Sequence, residues 1–152
     1  MSLDGIGRTN RFGDAERERI WKGIQSLGGR VTIITHVRTE LKKNYPTGKL
    51  PDRIKSLPCK MTGLPIVSVA KRVKNILDNF PTLINVNSPH TRDPADPWII
   101  AAAQEYGYVV VTEELKKSVR QHDKDRDHIP DVCDALGVKC ITLRDFIIAE
   151  NL

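Results

Sequence analysis

Aromatic residues make up only 5% of the 152 positions, so binding by extensive stacking of side-chain rings on nucleobases is not expected. Cysteine is scarce as well. Cys59, Cys133 and Cys140 are odd in number and lack C-x-x-C spacing, which supports neither a disulfide framework nor a zinc ribbon. No apolar run approaches the roughly 18 residues of a membrane span, and the polar N-terminus lacks the apolar stretch of a secretory signal. The expectation is a cytoplasmic protein with no membrane partner. Also missing are G-x-x-x-x-G-K-[ST], G-x-G-x-x-G and G-x-S-x-G, which removes ATP, NAD and serine-hydrolase chemistry.

What is present is ordinary for a globular chain: 39% hydrophobic and 28% charged residues, at a length that suits one domain over residues 1–152. Residues 1–13 are polar and glycine-rich, and Met-Ser-Leu looks like a vector leader, so the ordered fold is expected to start near Asp14. The net charge of +5 is unevenly spread. Between Arg38 and Lys74, ten Lys or Arg stand against Glu40 and Asp52, and the remainder is slightly acidic. Such asymmetry suits a surface that meets a polyanion.

Periodicity divides the chain into alternating elements. Asp14 is placed to cap a helix AERERIWKGIQSL that Gly28 and Gly29 close. RVTIIT (30–35) reads as a strand and HVRTELKKN as a helix, followed by a proline-rich connection over 45–65 with one short helix around DRIKSL. From Pro65 to Phe80, Ile66, Val69, Val73, Ile76, Leu77 and Phe80 follow helical spacing, with Lys71, Lys74 and Asp78 opposite. LINVN reads as a short strand, DPWIIAAAQEYG as a helix, YVVVT as a buried strand and PDVCDALG as a helix. VKCITL is the last strand, and Thr142 with Asp145 forms a capping box for a terminal helix. The pattern predicts an α/β fold: a three-layer, mainly parallel sheet flanked by helices. LKKSVRQHDKDRDH (115–128) is the segment expected to be mobile.

The acids are the chemically informative residues. In an open parallel sheet, function gathers at the carboxyl ends of the strands. Glu40 lies in the helix after RVTIIT, Asp93 and Asp96 precede the helix that leads into YVVVT, and Glu113 and Glu114 follow that strand. Convergent carboxylates suit a hard divalent cation, Mg²⁺ or Mn²⁺, which activates water and screens charge on a phosphodiester. Each acid also has a plain explanation. Asp93 and Asp96, each before a proline, suit helix caps; Glu40, Glu113 and Glu114 could be solvated surface charges.

ADPWIIAAAQEYGYVVVTEE, IPDVCDALGVKCITL and VTIITHVRTEL resemble the PIN-like domains, in particular an uncharacterised subgroup related to toxin–antitoxin ribonucleases. The resemblance runs from about residue 16 to the C-terminus. It implies Mg²⁺- or Mn²⁺-dependent phosphodiester cleavage, usually of RNA, with an antitoxin protein or a second copy of the chain as candidate partners. Carried over by position, Glu40, Asp96 and Glu113 stand as catalytic and metal-holding acids, and Asp93 is a further metal-ligand candidate. Lys42, Lys43, Lys71 and Lys74, from the basic stretch, are the candidates to track nucleic acid. One departure stands out. The family opens with a central apolar strand ending in aspartate, whereas only Met1, Ser2 and Leu3 precede Asp4 here, so that first strand and its acid are expected to be missing or rearranged. The rival from another class is a catalytically silent nucleic-acid- or protein-binding module of the same fold.

Two other constellations carry less. Asp123, Asp125 and Asp127 alternate as in a calcium loop, but His128 stands where that loop needs glycine. His36 and His90 fall near the proposed edge and read as structural.

Overall fold

The computed structural model describes residues 12–60, 67–87 and 94–152. Among them, seven α-helices alternate with four short strands. Helix α1 (Asp14–Ser26) buries Ile20, Trp21 and Ile24 on one face. Gly13, in an extended conformation, occupies its N-cap, and Asp14 is instead the first helical residue, where it accepts a hydrogen bond from Arg17 at 2.6 Å. A 3₁₀ turn (Gly28–Arg30) leads to β1 (Ile33–Ile34) and directly into α2 (Thr35–Asn44). Helix α3 (Lys49–Lys55) and β2 (Cys59–Lys60) follow. Next come α4 (Val67–Asn79), α5 (Asp96–Tyr106) and β3 (Val110–Thr112). Helix α6 (Ile129–Leu136), β4 (Cys140–Thr142) and α7 (Leu143–Ala149) complete the fold.

The strands form two parallel pairs among the described residues. Ile33 of β1 lies opposite Cys59 of β2, and Val110 of β3 lies opposite Cys140 of β4. The protein is thus mixed helix and sheet, dominated by helix, with parallel pairing as expected but less strand than the β-branched runs suggested. RVTIIT contracts to two residues because Thr35 already opens α2. LINVN is not a strand: Pro81–Leu83 make a 3₁₀ turn, and Asn85 then accepts the Asn87 N–H at 3.1 Å, an Asx turn of the kind asparagine favours. Conversely, β2 lies in the stretch that reads as connection only. The capping box of α7 is present, with Thr142 Oγ1 accepting the Asp145 N–H at 3.1 Å.

Helix α5 is the centre of the core. Ile100, Ala101, Ala102 and Ala103 are all buried, and small residues let α4 approach closely with Val69, Val73 and Ile76. Neighbouring strand residues serve different clusters, as the period of two demands. Ile34 and Val110 join α4, α5 and α6, while Ile33 and Val111 join α1, α2, α3 and α7. Each strand pair is therefore covered by helices on both faces, which positions the residues at its carboxyl end.

The charged segment 115–128 is held rather than bare. Buried Arg120 donates to the Leu115, Asp123 and Arg126 carbonyls and to the Asp131 carboxylate. Asp123 meets Arg126 and His128 at 2.9 Å each, and Asp127 meets Lys117 at 2.7 Å. Asp123 and Asp127, two of the alternating aspartates, are thus committed to neighbouring side chains.

Candidate functional site

Three carboxylates from three parts of the chain line one cavity of about 340 Å³: Glu40 from α2, Asp96 at the start of α5, and Glu114 just beyond β3. Thr112, Asn44 and Tyr45 share the lining. The cavity lies where β3 ends and where the helices opened by Asp96 and Ile129 begin, with the later half of α2 along its side.

Asp96 is not a helix cap. Ala95, in the αR conformation, takes the N-cap position, and no side chain caps this end. Pro97 sits in the first turn, where its missing N–H costs nothing. The Asp96 carboxyl is pushed up to about 7, first by burial, then by the charges of Glu114 and Glu40, against a smaller opposing effect of Arg126. A buried carboxyl raised by two like charges is a common signature of a working site.

Its neighbours are anchored. Glu40 Oε2 accepts the Ala95 N–H at 3.4 Å, joining α2 to the residue before Asp96. Glu114 Oε2 accepts the Ile129 N–H at 2.9 Å at the start of α6, a favourable place for an anion because free N–H groups and the helix dipole point there. The backbone N–H of Glu114 donates to Thr112 Oγ1 at 3.2 Å. His128 lies between the site and the charged loop, with Nδ1 4.0 Å from Glu114 and Nε2 2.9 Å from Asp123. Its hydrogen bond is the main reason the Asp123 carboxyl is held below its ordinary value.

The structure therefore brings Glu40 and Asp96 together but sends Glu113 elsewhere. Glu113 Oε1 accepts the Leu143 N–H at 3.2 Å, at the first residue of α7, while adjacent Glu114 fills the place by the pocket. A strand's period of two warns that consecutive residues diverge; it could not say which of the pair turns inward. Asp93 and His90 lie outside the described residues. His36 stacks on Trp98 with ring centroids 4.0 Å apart and planes 10° from parallel, in the same two helices that carry Glu40 and Asp96. Lys42 and Lys43 are exposed in the last turn of α2. Lys71 and Lys74 are exposed on α4, where Lys74 is engaged by Asp78 at 2.6 Å.

The donor set can be tested against the expected cation. Among the described residues, no three His, Cys, Asp or Glu side chains form a ready-made cage. Carboxylates with a threonine hydroxyl nearby are nevertheless the hard oxygen donors that Mg²⁺ and Mn²⁺ take, commonly one or two carboxylates with water completing the shell. Burial first, and then the Glu114 and Glu40 charges, which the smaller effect of Arg126 does not offset, hold the Asp96 carboxyl up, so the residues fit such an ion in kind.

Parallel strand pairs, flanking helices and carboxylates by the end of β3 define an α/β protein with an acidic pocket. More particularly, the chain belongs to the family described as domain of unknown function DUF4411, whose family model matches residues 8–152. No curated protein and no solved structure matches it. No described helix is long and apolar enough to cross a membrane.

Proposed function

We propose that this chain is a PIN-like, metal-dependent nuclease that hydrolyses phosphodiester bonds, with RNA as the substrate. The observation that carries the reading is the meeting of Glu40, Asp96 and Glu114 in one cavity by the end of β3, together with the sequence resemblance. Glu40, Asp96 and Glu114 would hold Mg²⁺ or Mn²⁺, which when bound lowers the pKa of water and offsets charge on the scissile phosphate. Asp96, about half protonated at neutrality with its carboxyl near 7, would release its proton on holding such a cation, which would make ion uptake proton-coupled. Exposed Lys42 and Lys43, on the helix that carries Glu40, supply a sequence-independent attraction for the phosphate backbone. The scarcity of aromatics fits backbone recognition over base readout. An antitoxin protein as inhibitor and a second copy of the chain are the partners the resemblance suggests.

One observation favours the silent-module alternative: Glu40 and Glu114 each accept a backbone N–H at a helix start, so both have structural work apart from catalysis. Cleavage of a labelled single-stranded RNA with Mg²⁺ or Mn²⁺ separates the readings. The nuclease reading expects Glu114→Gln to lose at least ~100-fold in rate and Glu113→Gln to retain activity. Equal activity of Glu114→Gln and the parent would remove Glu114 from the machinery. RNA binding without cleavage by the parent under any divalent ion would establish the silent module.

A further inference from the structure

Two of the three cysteines, unremarked by their spacing in the sequence, are brought together by the fold. Cys133 lies in the second half of α6 and Cys140 opens β4. The helix ends at Gly137 in the left-handed conformation, with φ 69°, which glycine adopts at little cost. That reversal lets the Val138 N–H donate to the Cys133 carbonyl at 2.8 Å. Val138 and Cys140 then both pack against the core cluster that contains Cys133. There the two side chains meet, close enough for the thiols to share a hydrogen bond. Both cysteines are free, Cys133 fully buried and Cys140 partly exposed. Thiols in hydrogen-bonding contact are a small side-chain movement away from the S–S bond distance.

The two thiols are unlike in a complementary way. The hydrogen bond from Cys133 holds the Cys140 thiol below its ordinary value, against burial and the charge of Glu114. The same bond, and then burial, push the Cys133 thiol up. Since the thiolate is the nucleophile, Cys140 is the sulfur that an oxidant meets, and Cys133 stands behind it. We propose that Cys133 and Cys140 are a dithiol oxidation site, at which a peroxide converts the pair to an intramolecular disulfide that staples α6 to β4. The Cys140 thiolate attacks one peroxide oxygen: an S–O bond forms, the O–O bond breaks, and the departing hydroxide takes up the thiol's proton as water. The Cys133 sulfur then attacks the Cys140 sulfur, the S–S bond forms, the S–O bond breaks, and a second water carries away the Cys133 proton. With hydrogen peroxide, two thiols and one peroxide give one disulfide and two waters, two electrons passing from sulfur to oxygen. A thiol reductant reverses the reaction by exchange. Glu114 already holds the Ile129 amide at the start of α6, so the staple fixes the helix at both ends. The site is independent of the nuclease reading, as neither thiol lines the acidic pocket.

Brief exposure of the folded full chain to hydrogen peroxide, followed by alkylation in denaturant and peptide mapping, tests it. A Cys133–Cys140 linked peptide that has lost two hydrogens and that dithiothreitol opens is expected, with the same product in Cys59→Ser. Dimedone added with the peroxide traps sulfenic acid. It should label Cys140 at least ~10-fold more in Cys133→Ser than in the parent, where the neighbouring thiol acts at a high effective concentration. Cys140→Ser, at a partly exposed position, gives a check that does not alter the core, and should leave Cys133 reduced at peroxide doses that link the parent. The proposal is overturned if the folded parent yields no linked peptide, or links only through Cys59 or between chains. Equal dimedone labelling of Cys140 in the parent and Cys133→Ser, or oxidation of Cys133 in Cys140→Ser at the parent's rate, overturns it as well.

Discussion

Substituting Asp96→Asn should make the protein more stable at alkaline pH and leave it nearly unchanged in acid. The sign follows from linkage. Asp96 ionises near 3.8 in the unfolded chain but at about 7 in the folded one. Between those values the unfolded state releases a proton that the native state keeps, so stability falls as pH rises through the window and is level above it. The full displacement corresponds to about 4 kcal/mol, a large part of the 5–15 kcal/mol that holds a typical domain together. More than half of that develops between about pH 5 and pH 8. Asparagine has the same shape and no charge, so it removes the penalty. Urea denaturation of parent and variant at about pH 5 and pH 8, with chelator present, gives the difference for Asp96 together with the Glu114 and Glu40 charges that act on it, since titrating groups not coupled to Asp96 cancel. The variant is expected to gain at least ~2 kcal/mol on the parent between acid and alkaline conditions. Added Mg²⁺ should close part of the gap, because an ion that binds only the native parent stabilises it. A gap independent of pH, or a variant less stable at pH 8, would refute the reasoning and return Asp96 to an ordinary helix-start role.

Two further outcomes test the surroundings. Arg120→Ala leaves the Asp131 carboxylate, 14% exposed, without its guanidinium, and should cost about 3–5 kcal/mol in denaturant unfolding; a loss under ~1 kcal/mol would show that the loop is held by other contacts. Thr142→Ala removes the side chain that accepts the Asp145 N–H and should cost about 1 kcal/mol, a small but measurable drop in melting temperature.

Much of the fold was legible in the sequence because helical spacing is robust to context. Val69, Val73 and Ile76 face the core as their period requires. Strand extent was not legible, since RVTIIT and LINVN carry β-branched residues that tertiary contacts override. At the site, Glu40 and Asp96 could be placed together from chain order alone. Choosing between Glu113 and Glu114 needs the backbone direction after Thr112, and no local composition encodes it. Asp14 and Asp96 show a related weakness. Both look like caps, yet Gly13 and Ala95 occupy the cap positions, a shift of one residue that turns Asp96 from a backbone acceptor into a pocket side chain.

The bond from the Ala95 amide to Glu40 carries a genetic consequence. A mutation at Glu40 would disturb the entry of α5 and the setting of Asp96 with it, so two acids behave as one heritable unit. A lineage that had abandoned any chemistry in this pocket would still be under pressure to keep Glu40 for the sake of the helix, and Glu114 for the start of α6. In this fold, retention of acids at those two positions measures folding first, and Asp96, which caps nothing and weakens the native state, is the position whose persistence would report selection for activity.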